Sequence, residues 1–269
     1  MRGTDLFRRG AQRPALMGIL NATPDSFSDG GKWNTPESAR RHCSDLIAQG
    51  ADIIDLGGES TRPGAVPVPE EEERERVLTA LDAISSVASV PISIDTVKAS
   101  VARTAVEHGV GIINDVSGLS DPLMAETAAE LDVPIILTNC HGTPATFATR
   151  FIQGDIFEVI VNGLRGLVGK ALDAGVKEYN IILDPGVGFG TTSEQCMQIV
   201  KNASCFSLGK YPVLIGPSRK RFIREMYSGT DADVATAEVC VLAAESGADI
   251  LRIHNVGCTA ARLDRAFRP

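Results

Sequence analysis

A (β/α)8 TIM barrel, α/β in class and single in domain, is the fold that this sequence predicts, and three observations predict it. Eight short β-branched apolar segments recur along 269 residues, longer amphipathic stretches separate them, and runs such as Ile181-Ile182-Leu183 are apolar at consecutive positions rather than alternate ones. Consecutive apolar residues suit strands covered on both faces, strand–helix alternation suits a parallel sheet with right-handed crossovers, and eight such units favour a closed barrel over an open sheet. The length is that of one such barrel, spanning residues 1–269 with residues 1–13 as a lead segment.

The elements follow in order. A first strand at Ala15–Leu20 leads to a helix at Pro36–Ala48, stopped by Gly50. A second strand, Asp52–Gly57, precedes a helix over Pro69–Ala88 that opens with Glu70-Glu71-Glu72-Glu73. Acidic side chains there face the positive end of the helix dipole, so a solvated helix face explains the run better than an acidic binding tail. The third strand, Pro91–Asp95, is followed by a helix at Lys98–His108 with Gly109 as its stop, and the fourth, Gly111–Val116, by a helix at Pro122–Leu131. The fifth, Pro134–Thr138, precedes a helix at Asp155–Ala174 that ends at Gly175. Asn180–Asp184 and Pro212–Gly216 are the sixth and seventh strands, and a helix at Val234–Ser246, stopped by Gly247, leads to the eighth at Asp249–Ile253. Glycine just past a helix takes the left-handed conformation without a Cβ penalty, which is why these stops are informative.

The formal net charge of −8 argues against a nucleic-acid partner or an anionic membrane held by a general positive field, so an anionic substrate needs a local basic cluster. No run of about 18 apolar residues occurs, and the Arg-rich start has no following signal-type apolar stretch; a soluble, cytoplasmic protein is expected. The six cysteines are scattered without CxxC pairs or a zinc-type Cys/His spacing, and are read as packed free thiols.

Barrel enzymes carry their chemistry just beyond the C-terminal ends of the strands. The residues found there are Asn21, then Glu59-Ser60-Thr61-Arg62, Asp95, Asn114-Asp115, Asp184, Ser218-Arg219-Lys220, and Arg252 with His254. Each has a plainer explanation: Asp95 or Asp184 could cap a helix, Asn114 could make an Asx-turn, and Arg252 could be a surface charge. Together they converge on one rim. Two carboxylates and an amide can pair with the donor edge of a fused nitrogen heterocycle, and the cations can hold an anionic leaving group. The stretch Pro185-Gly186-Val187-Gly188-Phe189-Gly190 is not a GxGxxG dinucleotide fingerprint, and no GxxxxGK[ST] loop occurs.

Set side by side, these segments resemble the dihydropteroate synthases over nearly the whole chain. The carriers are Met17-Gly18-Ile19-Leu20-Asn21-Ala22-Thr23-Pro24-Asp25-Ser26-Phe27-Ser28-Asp29-Gly30-Gly31 and Asp55-Leu56-Gly57-Gly58-Glu59-Ser60-Thr61-Arg62-Pro63-Gly64. Ile94-Asp95-Thr96, Ile113-Asn114-Asp115-Val116-Ser117-Gly118, Leu183-Asp184-Pro185-Gly186-Val187-Gly188-Phe189-Gly190 and Ser218-Arg219-Lys220 add to them. The resemblance implies an enzyme that condenses a dihydropterin-methyl diphosphate with 4-aminobenzoate, giving dihydropteroate and pyrophosphate. By it, Asp95, Asn114, Asp184 and Lys220 would bind the pterin. Asn21, Arg62, Arg252 and His254 would surround the diphosphate and its Mg²⁺, with Asn21 the metal ligand. Thr61, Pro63 and Phe189 would lie near the 4-aminobenzoate, and Gly216 and Arg221 are also expected at the substrates. The loops 22–33 and 59–66 would close over the site, and the family implies a homodimer.

The match departs in places. The family usually shows Met-His-Met after the fifth strand, where this chain has Thr138-Asn139-Cys140, and a Ser after Ser218-Arg219-Lys220, where it has Arg221. Arg224 replaces a usual Gly, and Asn255 replaces the Asp that usually follows the histidine. Arg221 either binds the acceptor's carboxylate bidentately, fills the pocket, or points to solvent. These changes cluster around the organic rings, so a divergent synthase with an altered acceptor is one alternative. A pterin-dependent methyltransferase and a barrel that binds without turnover are two others; the diphosphate-facing cations weigh against both.

Overall fold

The structure, a computed structural model, describes residues 13–22, 35–59, 67–143, 146, 147 and 149–267. Its strands are β1 (Ala15–Asn21), β2 (Ile53–Gly57), β3 (Ile92–Asp95), β4 (Ile112–Asp115), β5 (Ile135–Thr138), β6 (Ile181–Asp184), β7 (Leu214–Ile215) and β8 (Ile250–Ile253). Between and after them run α1 (Pro36–Ala48), α2 (Glu70–Ile84), α3 (Ala99–Glu107), α4 (Met124–Leu131), α5 (Ile156–Asp173), α6 (Ser193–Val200), α7 (Arg221–Met226), α8 (Ala232–Glu245) and α9 (Val256–Ala266). All strand pairs are parallel, in the order β6-β5-β4-β3-β2-β1-β8-β7, and a bridge between Leu183 and Val213 joins the two ends into a barrel. The TIM-barrel fold expected from the sequence is the fold found.

The expected strands hold to within one residue at each end, except the seventh. The seventh is only Leu214–Ile215, because Pro212 has no N–H for a ladder and the Val213 N–H goes to the Asp249 carboxylate at 2.9 Å. Three helices are additions to the sequence reading: α6, α7 and α9. The first had a legible signal, since Thr192 and Gln195 form a reciprocal capping box at its start. Asn255 likewise caps α9 by accepting from the Cys258 N–H at 3.0 Å. The glycine stops at 50, 109, 175 and 247 all have φ between +95° and +99°.

Successive residues of a strand face opposite sides, so every second residue points into the barrel. The inward set begins with an apolar plug of Met17, Ile53, Ile112, Ile136, Ile182, Leu214 and Ile250, each at most 1% exposed. A second, larger core lies between the outer strand faces and the helices. Two residues further along the same strands, the inward positions become Ile19, Asp55, Asn114, Thr138, Asp184, Gly216 and Arg252, with Ser93 on β3. The change from apolar to polar within one pleat repeat is what builds the site.

Candidate active site

Asp55 is fully buried at the centre of this polar layer. Its carboxylate accepts from Ser93 Oγ at 2.6 Å, from Asn114 Nδ2 at 3.2 and 3.3 Å, and from Arg252 Nε at 2.5 Å. A second guanidinium nitrogen of Arg252 pairs with Asp95. Burial works against the Arg252 charge, but Asp55 and Asp95 outweigh it and hold the guanidinium firmly protonated. Asp95 is driven the other way: burial pushes its carboxyl up to about 7 against the pull of Arg252, and repulsion from Asp55 adds to the rise.

Three buried atoms of this layer have no hydrogen-bond partner among the described residues: Asp95 Oδ1, Asn114 Oδ1 and Thr138 Oγ1. A carboxylate can only accept, so Asp55 turns the amide nitrogen of Asn114 toward itself and leaves the amide oxygen unused. Native interiors pair nearly all such atoms, and an unpaired cluster at the end of a barrel marks where a polar ligand sits. Its exposed character is that of an acceptor, which calls for a ligand edge rich in N–H groups.

Asp184 and Lys220 form the adjoining wall. Burial raises the Asp184 carboxyl and lowers the Lys220 amine, while each favours the charged form of the other. One Asp184 oxygen accepts the Gly186 N–H at 2.7 Å, and the Lys220 amine donates to the Val187 carbonyl and lies 4.1 Å from the centre of the Phe189 ring. The loop that makes this possible cannot carry side chains at its glycines: Gly186 has φ +79°, and a Cβ there would stand 1.9 Å from the Asn139 carbonyl oxygen. At Gly188 a Cβ would come within 2.9 Å of Lys220 Cδ. Phe189 packs on Phe147 with ring centres 4.8 Å apart, and the Arg221 guanidinium lies 5.5 Å from the Phe151 ring while pairing with Glu225 at 3.4 Å.

At the mouth, Asn21 and Asp95 stand beside Gly57; a Cβ at Gly57 would be 3.5 Å from Asn21 Oδ1 and 3.7 Å from Asp95 Cβ. His254 Nδ1 is 2.9 Å from Ser218 Oγ, which also accepts the His254 N–H at 3.1 Å. Among the described residues no group of three or more His, Cys, Asp or Glu side chains could hold a metal ion. One amide oxygen at the mouth fits a hydrated Mg²⁺ that brings phosphate oxygens of its own, because Mg²⁺ keeps most of its waters and takes few protein ligands.

Of the sequence-predicted residues, Asn21, Asp95, Asn114, Asp184, Phe189, Gly216, Lys220, Arg221, Arg252 and His254 are brought to this one end of the barrel. Thr61, Arg62 and Pro63, and most of the two loops expected to close over the site, lie outside the described residues. Several plainer readings are resolved. Asn114 makes no Asx-turn; its neighbour Asp115 does, accepting the Ser117 N–H at 2.9 Å and the Leu119 N–H at 2.6 Å. Asp184 caps no helix, since Thr192 caps α6; it accepts the Gly186 N–H in a turn and still faces inward. Arg252 is no surface charge, and it spans Asp55 and Asp95 rather than projecting alone toward an anion. Arg221 does not fill the floor: its side chain is exposed, pairing with Glu225 on its own helix beside the Phe151 ring. Cys140 is a half-buried free thiol, and burial pushes it up to about 12.

Sequence reasoning missed Asp55 and Ser93 within the site, and Phe147 and Phe151 beside it. The first pair had a signal, two residues of inward parity below Gly57 and Asp95; the phenylalanines follow β5 without a periodic pattern that would have singled them out.

Comparison with known proteins agrees with this geometry. The profile of the family described as pterin binding enzyme matches residues 17–254. A dihydropteroate synthase of Bacillus subtilis (strain 168) is 45% identical over 249 residues, covering 91% of this chain and 85% of that protein. Among solved structures, the Yersinia pestis dihydropteroate synthase with a sulfonamide drug complex superposes with a TM-score of 0.89 at 34% identity, covering 95% of each chain. The Xanthomonas albilineans dihydropteroate synthase with 4-aminobenzoic acid superposes with a TM-score of 0.86 at 37% identity, covering 94% of this chain and 92% of that one.

Proposed function

The chain belongs to the pterin-binding enzyme family and, within it, to the dihydropteroate synthases, and from that membership we propose how its own residues divide the work. These transferases condense (7,8-dihydropterin-6-yl)methyl diphosphate with 4-aminobenzoate, giving 7,8-dihydropteroate and pyrophosphate. The observation that carries our assignment is the cluster of unpartnered acceptors at Asp95 and Asn114, joined by Asp184: a pterin presents ring and amino N–H groups that such acceptors match. Lys220 supplies the complementary donor, and Phe189 beside it offers an apolar surface.

Breaking the C–O bond to the diphosphate leaves positive charge on the methylene carbon, which the electron-rich ring delocalises. The carboxylates of Asp95 and Asp184, buried in a low-dielectric floor, stabilise that charge as it develops. His254, with Arg62, would steady the departing anion, and Arg252 would hold Asp95 in place by bridging it to Asp55. Asn21 and diphosphate oxygens would hold Mg²⁺, whose charge neutralises the leaving group. An arylamine is already neutral near pH 7, so its attack needs no strong general base. We assign the acceptor's carboxylate to Arg221, which adjoins Lys220 in the chain and borders the Phe151 ring. A homodimer is also inferred, for which Met226 and Val234, 48% and 46% exposed, offer apolar surface on α7 and α8. No described helix is long and apolar enough to cross a membrane, and the reaction's charged small-molecule substrates suit a cytoplasmic enzyme.

The test is pyrophosphate release from the dihydropterin-methyl diphosphate and Mg²⁺, with and without 4-aminobenzoate, on the unaltered chain and on Arg221→Ser. Release coupled to dihydropteroate is expected, with the 4-aminobenzoate KM rising about tenfold in the variant, the worth of one charged hydrogen bond. Ligand binding without coupled product would overturn the reading, and an unchanged acceptor KM would overturn the assignment of Arg221.

A further inference from the structure

Thr138 is the last residue of β5, which lies between the strands that carry Asn114 and Asp184. It is opposite Asp184 in register and two residues beyond Ile136 of the apolar plug, so its side chain points into the barrel. The residue is fully buried, and its Oγ1 has no hydrogen-bond partner among the described residues. Its neighbour Asn139 faces the other way, against α5, where a Cβ on Gly163 would meet Asn139 Oδ1 at 2.2 Å. An unpaired buried hydroxyl destabilises the folded chain, and Val would fill the same space without that cost. Something other than packing therefore keeps this position polar.

What surrounds it indicates what. Asn114, turned by Asp55, presents an acceptor, and so does Asp184. A ligand edge that satisfies both must carry several N–H groups close together. The aminopyrimidine half of a pterin has an exocyclic amino group with two N–H bonds and a ring nitrogen beside it. A hydroxyl can accept from the first and donate to the second, which neither flanking residue can do alone. We propose that Thr138 is a specificity-determining residue for the pterin substrate, its Oγ1 hydrogen-bonding the aminopyrimidine edge between Asn114 and Asp184. In the resemblance a methionine occupies this position and can offer only a polarizable surface; here that contact becomes a polar one. The inference rests on the pterin reading of the floor.

Three forms of the full chain test it: unaltered, Thr138→Val, which keeps the shape and loses the hydroxyl, and Thr138→Ser, which keeps the hydroxyl. Binding of 6-hydroxymethylpterin is measured by calorimetry, initial rates are varied in each substrate, and melting is followed without ligand. Thr138→Val is expected to weaken pterin binding and raise the pterin diphosphate KM about five- to tenfold, the worth of one hydrogen bond in a buried site. Its 4-aminobenzoate KM stays the same and its melting temperature is equal or higher, while Thr138→Ser binds pterin as the unaltered chain does. Equal pterin binding by all three, or a Thr138→Val chain that melts lower with both KM values unchanged, would overturn the proposal. Failure of the unaltered chain to bind 6-hydroxymethylpterin at all would overturn the pterin reading as well, and is distinguishable from either.

Discussion

Asp55 has no exposure to solvent and can only accept, so every group that touches it must donate: a serine hydroxyl, an amide nitrogen and a guanidinium. That obligation sets the orientation of Asn114 and Arg252, and through Arg252 the position of Asp95. Asp95 in turn sits where burial favours its neutral form, with its carboxyl up to about 7. On the proposed assignment the pterin needs it as an acceptor. As pH falls through about 7, Asp95 takes up a proton and 6-hydroxymethylpterin binding should weaken, approaching tenfold per pH unit for one linked proton. Stability moves oppositely. A carboxyl with a folded value above its unfolded one contributes stability that is fully present below the unfolded value and is lost as pH rises through the folded value. Calorimetric titrations between pH 5.5 and 8 on the unaltered chain and Asp95→Asn check this: the acid limb should vanish in the variant, and a flat profile in the unaltered chain would sink the assignment.

The described residues that flank the second loop are linked by elements that the sequence reading treated as separate. Lys98, just before α3, pairs with Glu59 at the end of β2 and with Glu73 of α2, while Thr96 Oγ1 donates to Glu73 at 2.7 Å. Glu59 also accepts the Val68 N–H at 3.2 Å, so it joins the two sides of the segment that holds Thr61, Arg62 and Pro63. The acidic run at the start of α2 is therefore not uniformly solvated. Glu70 and Glu72 pair with Arg74 and Arg76 one turn on, whereas Glu73 is fully buried. Charge composition could not separate them; only the face of α2 that packs on the barrel does. Replacing Lys98 by Met strands the Glu73 charge, and breaking a buried pair in this way costs about 3–5 kcal/mol. Burial already holds the Glu73 carboxyl above its usual value against the pull of Lys98. The loss should then be largest above that folded value and fade below the unfolded one, where Glu73 is protonated in both states. Chemical denaturation of Lys98→Met at pH 7.5 and pH 4 would show the difference, and an equal loss at both would refute the account.

Across the whole barrel, an apolar plug supports a polar layer whose acceptors stand unpartnered. Such a layer lowers the stability of the empty protein and is satisfied by ligand, so occupancy should stabilise the chain. At a hundred times Kd the gain is about 2.7 kcal/mol, or roughly 5–10 °C in melting temperature for a domain of this size. Thermal melting with 6-hydroxymethylpterin reads it directly, and no shift at saturating ligand would contradict the placement of the site. The strands, their parallel closure and the end of the barrel where the candidate site gathers were legible from the sequence, because β-branched runs, glycine stops and strand-end polar residues are local patterns that neighbouring positions reveal. So were Asp95, Asn114, Asp184 and Lys220, which end or follow strands. The partners of these residues were not. Asn114 lies 59 residues from Asp55, and Arg252 lies 197 residues from it. Which of them donates, which is left unpaired and which carboxyl is pushed toward neutrality were decided only by the tertiary structure, since those contacts and their shared desolvation come into being when the strands assemble into the barrel.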